Sequence, residues 1–262
     1  MFIALRKYNN EGKQMTLTGA TRSKLSRNYS LMCPDSHVPL NLPQWKNCQV
    51  IYTASPEMGA KFCQFLVNMK AGGSFCSESP SDEFLLLVLE GEIALNFSGE
   101  THRLQQDGFA HLKAGERFEL VNQGDSARLL AFQKKYAPMP EATDAVTSFA
   151  SSLTQVPAKP FLGDDGALLQ ALLPDALAWD WGVNVFEFQP GATLPIVEMH
   201  FMEHGLYFLQ GQGVYRLGSD WHLVEQGDAI WMGPYLEQWF AATGKVSSKY
   251  IYYKEMNRAP GL

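Results

Sequence analysis

In the segment Gly191–His204 (GATLPIVEMHFMEH), Glu198, His200 and His204 carry metal-ligating side chains at even spacing. One carboxylate and two imidazoles are donors that a divalent cation accepts, and a bound cation can orient a small substrate or activate water. The spacing is that of a strand, in which side chains two apart share a face, so Glu198 and His200 point inward while Met199 points away. His204, four residues further, keeps the same parity if the strand continues without a bulge. A fourth donor has to come from a facing strand. Gln238 is the candidate, eleven residues after Gly227 in the segment Gly227–Gln238 (GDAIWMGPYLEQ). One carboxylate, two imidazoles and an amide oxygen form a harder set than three imidazoles, and with two open positions they suit six-coordinate Mn(II) first, then Fe(II) or another divalent ion, ahead of tetrahedral Zn(II). A lone histidine would more often be a polar residue lining a core. Two histidines and a glutamate at one parity, with a partner downstream, are harder to dismiss.

The elements that must position these groups are strands. Short β-branched and aromatic runs recur between Gly and Pro turn signals, the pattern of an all-β barrel. Phe84–Leu89, Glu92–Phe97, Leu206–Leu209, Gly213–Leu217 and Lys249–Tyr253 read as strands. The chain also repeats itself: Leu89-Glu90-Gly91 matches Leu209-Gln210-Gly211 at a shift of 120, and the segment from Gly108 to Gly115 matches that from Gly227 to Pro234 at 119. Lys135 and Lys254 close the two copies at the same 119. A period this long means a duplicated domain rather than a solenoid. The expected layout is an N-terminal arm (1–48), a first barrel (49–136), a connector (137–160) rich in Ala, Ser, Thr and Pro with one short helix around Asp144–Ser152, and a second barrel (161–262). An arm of this kind is expected to pair across a sheet or a subunit boundary.

Length and composition agree with two domains. The chain has 262 residues, of which 46% are hydrophobic, enough for two cores of ordinary size. A formal charge of -6 gives no broad attraction to nucleic acid or anionic membrane, which leaves a small molecule or another chain as partner. Cys33, Cys48, Cys63 and Cys76 are scattered without a C-x-x-C pair, so they read as reduced thiols. Met1–Tyr8 places Arg6 and Lys7 after only five apolar residues, the reverse of a signal peptide, and no apolar run is long enough for a membrane span. These features lead to the expectation of a cytoplasmic protein.

The two segments resemble the paired motifs of the cupin superfamily, G-x5-H-x-H-x3/4-E-x6-G and G-x5-P-x-G-x2-H-x3-N. The order of ligands is shuffled: Glu198 replaces the first His and is displaced by one residue, His204 stands where the Glu would be, and Gln238 takes the last His position. The resemblance implies two tandem cupin barrels, each a double-stranded β-helix or jelly roll. The second half further resembles one bicupin family, the (S)-ureidoglycine aminohydrolases. The match is carried by Val197–His200, Glu203–Gly205, Leu209–Gly218, Gly227–Pro234, Gln238-Trp239 and Tyr250–Arg258, and runs from about Leu172 to Arg258. The first copy matches more loosely, at Leu31–His37 and Lys134–Tyr136. This resemblance implies hydrolysis of (S)-ureidoglycine to (S)-ureidoglycolate and ammonia in purine degradation, Mn(II) on Glu198, His200, His204 and Gln238, and Tyr215, Tyr250 and Lys254 as catalytic, substrate-binding residues. It also implies a homo-oligomer, and a carboxylate from the domain junction for which Glu141 and Asp144 are both candidates. The chemistry is coherent, because the substrate's carboxylate needs a cation such as Lys254 and its ureido oxygen needs neutral donors such as tyrosine hydroxyls. Tyr250 and Lys254, four apart on one strand, share a face. An Fe(II)-dependent cupin dioxygenase and a non-catalytic bicupin that binds a small ligand are the alternatives.

The first copy serves as an internal control. The same shifts place Glu78, Pro80, Phe84 and Glu119 where the second copy has Glu198, His200, His204 and Gln238. Proline and phenylalanine bind no metal, so the first barrel is expected to be metal-free, with His102 and His111 read as surface residues.

Overall fold

The computed structural model describes residues 20–77 and 81–260. Met1–Tyr8, Glu78 and Pro80 lie outside the described residues. The described chain is built from strands, with three 3-10 turns and no α-helix among the described residues, and no helix long and apolar enough to cross a membrane. All five strands expected from the residue pattern are present.

The first copy comprises β3 (Trp45–Ala54), β4 (Cys63–Ser77), β5 (Asp82–Glu90), β6 (Glu92–Phe97), β7 (Glu100–Gln105), β8 (Gly108–Leu112), β9 (Phe118–Asn122) and β10 (Ser126–Lys135). The long β4 pairs with both β10 and β9, and this ties the walls of the barrel into one sheet. The second copy repeats the order as β14 (Trp181–Phe188), β15 (His204–Gln210), β16 (Gln212–Leu217), β17 (Asp220–Glu225), β18 (Ala229–Met232), β19 (Gln238–Thr243) and β20 (Ser248–Glu255). Here the walls are separate sheets, one containing β18-β15-β20-β14 and the other β17-β16-β19. The counterpart of β4 ends at Phe188. Beyond it Pro190 and Pro195 supply no backbone N–H, and only isolated bridges, Thr193 to Ala241 and Glu198 to Gln238, continue the ladder. The architecture is that of two tandem cupin barrels.

Each barrel has its own core, and a third apolar layer joins them. Val67, Phe84, Leu95 and Phe118 fill the first barrel, and Phe186, Phe208, Phe240 and Tyr250 the second. Between the barrels, Leu85, Leu87 and Phe132 on one side pack with Trp181, Val183, Ile251 and Tyr253 on the other. Strand alternation produces this arrangement: residues of β5 and β20 turn one side chain into their own barrel and the next toward the neighbouring barrel.

The arm and connector differ from the sequence expectation in detail. Arm strand β2 (Tyr29–Met32) pairs with β18 of the second barrel, and Tyr29 and Leu31 complete that barrel's core. Arg22 fixes the arm by binding the buried Asp228 with both terminal nitrogens, at 2.6 and 3.0 Å. The connector forms no helix at Asp144–Ser152; instead β11 (Phe149–Ser152) adds to β8 of the first barrel, where the open sheet edge provides backbone partners that an isolated short helix lacks. The same element corrects the reading of His111. It is fully buried, because the connector and Trp179 cover the outer face of β8: its Nδ1 donates to the Thr147 carbonyl at 2.9 Å, and its Nε2 lies 3.4 Å from Glu83. His102 is partly exposed and stacks on Phe97. All four cysteines are free thiols.

Two equivalences between the copies also change. Phe97 faces Phe118 as Leu217 faces Gln238, so Phe118, not Glu119, corresponds to Gln238. Gln133 faces Phe84 as Lys254 faces His204, so Gln133, not Lys135, corresponds to Lys254. Bulges after Arg128 and Phe208 interrupt the ladders, and a fixed shift does not survive them.

Candidate metal centre

His204 begins β15, and its side chain faces the interior of the second barrel. Glu198 and His200 come from the irregular segment before it rather than from the same strand. This corrects the one-strand expectation, for the reason that the Pro-containing stretch cannot sustain a ladder. Glu198 is held in place all the same: its N–H donates to the Gln238 carbonyl and Gln238 N–H donates back, both at 2.9 Å. His200 is held by its carbonyl, which accepts from Tyr235 N–H at 2.7 Å. One donor atom from each of Glu198, His200 and His204 lies within 4.8 Å of the others.

The hydrogen bonds of the two imidazoles establish their tautomers. His204 Nδ1 lies 3.0 Å from the Tyr253 carbonyl and His200 Nδ1 lies 3.1 Å from the Met202 carbonyl. A carbonyl only accepts, so both Nδ1 atoms carry the proton and both Nε2 atoms are left as bare acceptors. Those two Nε2 atoms are 3.2 Å apart. Facing lone pairs repel, and a cation between them removes the conflict. With metal–nitrogen bonds of about 2.0–2.1 Å, 3.2 Å is a separation that two ligands of one ion can keep. The residues therefore fit a divalent metal ion.

Electrostatics point the same way. Burial pushes the His204 imidazole down to about 3, with a smaller contribution from His200, and lowers His200 as well, so both remain neutral and able to ligate. Burial raises Glu198, and the nearby Lys254 ammonium partly counters it. A cation in the cluster would compensate the buried carboxylate.

Gln238, Tyr215 and Tyr250 line the same small cavity with Glu198 and His204, closed by Phe186, Leu206 and Met232. Its volume is about 10 Å³, room for an ion or a water molecule and not for a substrate. Tyr215 donates its hydroxyl to Gln238 Oε1 at 3.3 Å. Burial raises Tyr215 and Tyr250 well above the ordinary phenol value, so both stay protonated donors. Lys254 lies on the same inner face, opposite His204 on one side and Gly182 on the other. The absence of a side chain at Gly182 matters here, because a Cβ would collide with Met256 and come within 3.4 Å of Lys254 Cε. Tyr215, Tyr250, His204 and Gln238 are buried, whereas Glu198, His200, Lys254 and Tyr252 are reached by solvent.

Tyr252 was absent from the sequence reading. It lines the cavity beside His204, with ring centroids 5.4 Å apart, and its hydroxyl oxygen accepts from Asn184 Nδ2 at 3.1 Å. It lies two residues from both Tyr250 and Lys254, so the parity that united those two already included it. The junction carboxylates do not line the cavity: Glu141 is exposed, and Asp144 Oδ2 accepts from Ala178 N–H at 3.2 Å. In the first barrel, Phe84 and Phe118 stand in place of His204 and Gln238, in edge contact at 5.2 Å and packed against Phe75.

No family model matches the chain. It is 37% identical over 249 residues to a rice (Oryza sativa) protein named as a probable (S)-ureidoglycine aminohydrolase, an alignment covering 93% of this chain and 78% of the relative. It is 36% identical to the Arabidopsis thaliana (S)-ureidoglycine aminohydrolase, covering 93% of this chain and 81% of that one. Among solved structures, the Escherichia coli protein Ylba superposes with a TM-score of 0.83 at 28% identity, covering 93% of this chain and 97% of that chain. An oxalate decarboxylase from Lactobacillus farciminis shares the fold alone, with a TM-score of 0.68 at 9% identity, covering 86% of this chain and 85% of that one.

Proposed function

The chain belongs to the (S)-ureidoglycine aminohydrolase family, and from that membership we propose that it hydrolyses (S)-ureidoglycine to (S)-ureidoglycolate and ammonia in purine degradation. The observation that carries the reading is Lys254. Its ammonium is on the barrel's inner face, near enough to influence the ionisation of Glu198, His200 and His204, with no ion-pair partner among the described residues. A half-buried cation without an ion-pair partner is a place for an anion, and the substrate's carboxylate is one.

In this reading Glu198, His200, His204 and Gln238 hold one divalent ion, Mn(II) ahead of Fe(II), which supplies Lewis acidity and orientation when bound. Lys254 takes the carboxylate. Tyr252, whose oxygen already accepts from Asn184, keeps its proton free for the ureido oxygen. Tyr215 and Tyr250, expected from the family resemblance to contact substrate, lie buried behind it, where Tyr215 orients the Gln238 amide. With the substrate's α-carbon held in one arrangement, the amine takes a proton and leaves as ammonia while the ureido nitrogen's lone pair forms a C=N bond. Water then adds to that carbon from one face and loses a proton, so one C–N bond is replaced by one C–O bond.

The test is ammonia release from freshly made ureidoglycine by Mn(II)-loaded protein, with an oxygen electrode in the same vessel. Ammonia above the spontaneous rate without oxygen uptake is expected. No excess ammonia removes the proposal, and oxygen uptake would transfer the site to the dioxygenase class. Neither that class nor a non-catalytic ligand-binding role is favoured by the relatives. The family reading also carries a cytoplasmic homo-oligomer, for which cell fractionation and light scattering are the checks.

A further inference from the structure

Both sides of the ligand strand are occupied. His204 faces the metal cluster, while Glu203 and Gly205, one residue to either side, face the first barrel, as alternation requires. Glu203 is 1% exposed. Its Oε1 accepts from Lys61 N–H at 2.8 Å, and its Oε2 accepts from the Trp231 indole N–H at 3.0 Å. No ammonium or guanidinium forms an ion pair with it among the described residues; the Lys61 ammonium pairs with Glu255 instead. Lys61 lies just before β4 of the first barrel, and the residues that follow it continue the contact. Phe62 stacks on Tyr253 at 4.1 Å and fills the space beside Gly205, where a Cβ would collide with the Phe62 ring and the Gln64 side chain. Gln64 Nε2 donates to the Leu206 carbonyl at 3.0 Å.

The cluster needs such an anchor. Between the Glu198–Gln238 bridge and the start of β15, residues 199–203 form no regular structure, yet they carry His200 and the Met202 carbonyl that orients it. Two hydrogen bonds to one buried carboxylate pin the last residue of that loop, directly next to His204. The side chain must be a carboxylate for this purpose. Both partners are donors, and a glutamine in its place would turn an NH₂ group toward one of them.

We infer that Glu203 is a positioning residue through which the first barrel, by its Lys61 backbone N–H, sets the loop that presents His200 and His204 to the metal. The inference rests on the reading of Glu198, His200 and His204 as ligands. It gives the first barrel, where Phe84 and Phe118 stand at the positions of His204 and Gln238, a part in the activity of the second.

The experiment is titration of chelator-stripped protein with Mn(II), followed by electron paramagnetic resonance, for the wild type, Glu203→Gln, Trp231→Phe and His200→Ala. Glu203→Gln should raise the Kd for Mn(II) about 10- to 100-fold, the usual effect of removing a group that orients a ligand. Trp231→Phe, which keeps the carboxylate and removes one donor, should raise it less. At saturating Mn(II) the folded Glu203→Gln protein should recover most of its kcat, which distinguishes positioning from a direct role. A role in folding alone would lower the melting temperature and leave the Kd unchanged. Wild-type Kd in folded Glu203→Gln and Trp231→Phe would overturn the inference, and if Glu203→Gln fails to fold, the Kd of Trp231→Phe decides. If His200→Ala also binds Mn(II) as tightly as wild type, the ligand assignment itself has failed, a separate result.

Discussion

Replacing Lys254 by Met removes one charge from the inner face of the second barrel and keeps an unbranched side chain of similar length. The space it occupies is set by backbone neighbours, Gly182 and His204 on the flanking strands, so the fold should tolerate the change. Lys254 offers charge-assisted hydrogen bonds to an anion, worth about 1.5–3 kcal/mol each. At about 1.4 kcal/mol per decade, the loss corresponds to roughly 10- to 150-fold in kcat/KM. Metal content should not fall. The ammonium attracts the Glu198 carboxylate, but it also repels a cation held by that carboxylate, and removing it cancels both effects. The assay is ammonia release at varied ureidoglycine concentration, with metal content by atomic absorption and melting by circular dichroism on the same preparation. Wild-type kcat/KM in a metal-replete variant would make Lys254 a solvated rim residue and remove the basis for its carboxylate contact. Loss of metal with loss of rate would place its effect at Glu198 instead and refute the division of labour between Lys254 and the ligands.

Tyr252→Phe removes a neutral hydroxyl and strands the Asn184 donor, so kcat/KM should fall about 2- to 12-fold, a smaller loss than for Lys254→Met, and an unchanged value would leave Tyr252 a packing residue. His200→Ala removes one of the two facing Nε2 acceptors; it should lose bound metal by atomic absorption while β-sheet circular dichroism is retained, and full occupancy would end the ligand assignment. The pH dependence of stability should reflect Glu83, which is buried with His111, Lys134 and Asp180 and whose carboxyl burial pushes above the ordinary range. A carboxyl raised in the folded state holds its proton more tightly there than in the unfolded chain, so its contribution is present below the unfolded pKa and is lost as pH rises through the folded one. Glu83→Gln should therefore flatten the decline of urea-unfolding free energy with rising pH from the ordinary carboxylate range upward. Identical slopes in the two proteins would show that this group does not titrate in the window.

Much of the site follows from chain-local rules. The residue types of Glu198, His200 and His204 mark a candidate metal-ligand set, although the single-strand parity used to group them does not hold in the structure; alternation on one strand groups Tyr250 with Lys254, and applied one step further includes Tyr252. The duplicated order of strands is also readable, since glycine turns and β-branched runs recur in both copies. These signals depend on residues within a few positions of one another, where backbone geometry leaves few choices.

What tertiary structure decided lies between elements far apart in the chain. His111 reads as polar surface until Trp179 and the connector cover it. A constant shift assigns Glu119 and Lys135 as counterparts of Gln238 and Lys254, whereas sheet register, altered by bulges, assigns Phe118 and Gln133. Glu198, His200 and His204 do not share a strand, since the proline-bearing stretch leaves the ladder; they converge because Gln238 holds Glu198, and Tyr253 and Met202 orient the two imidazoles. The contact of Lys61 with Glu203 joins residues 142 apart. Local sequence specifies which side chains can bind a metal and which face of a strand they share. Only the packing of one barrel against the other brings Lys61 to Glu203, because that distance depends on every element between them.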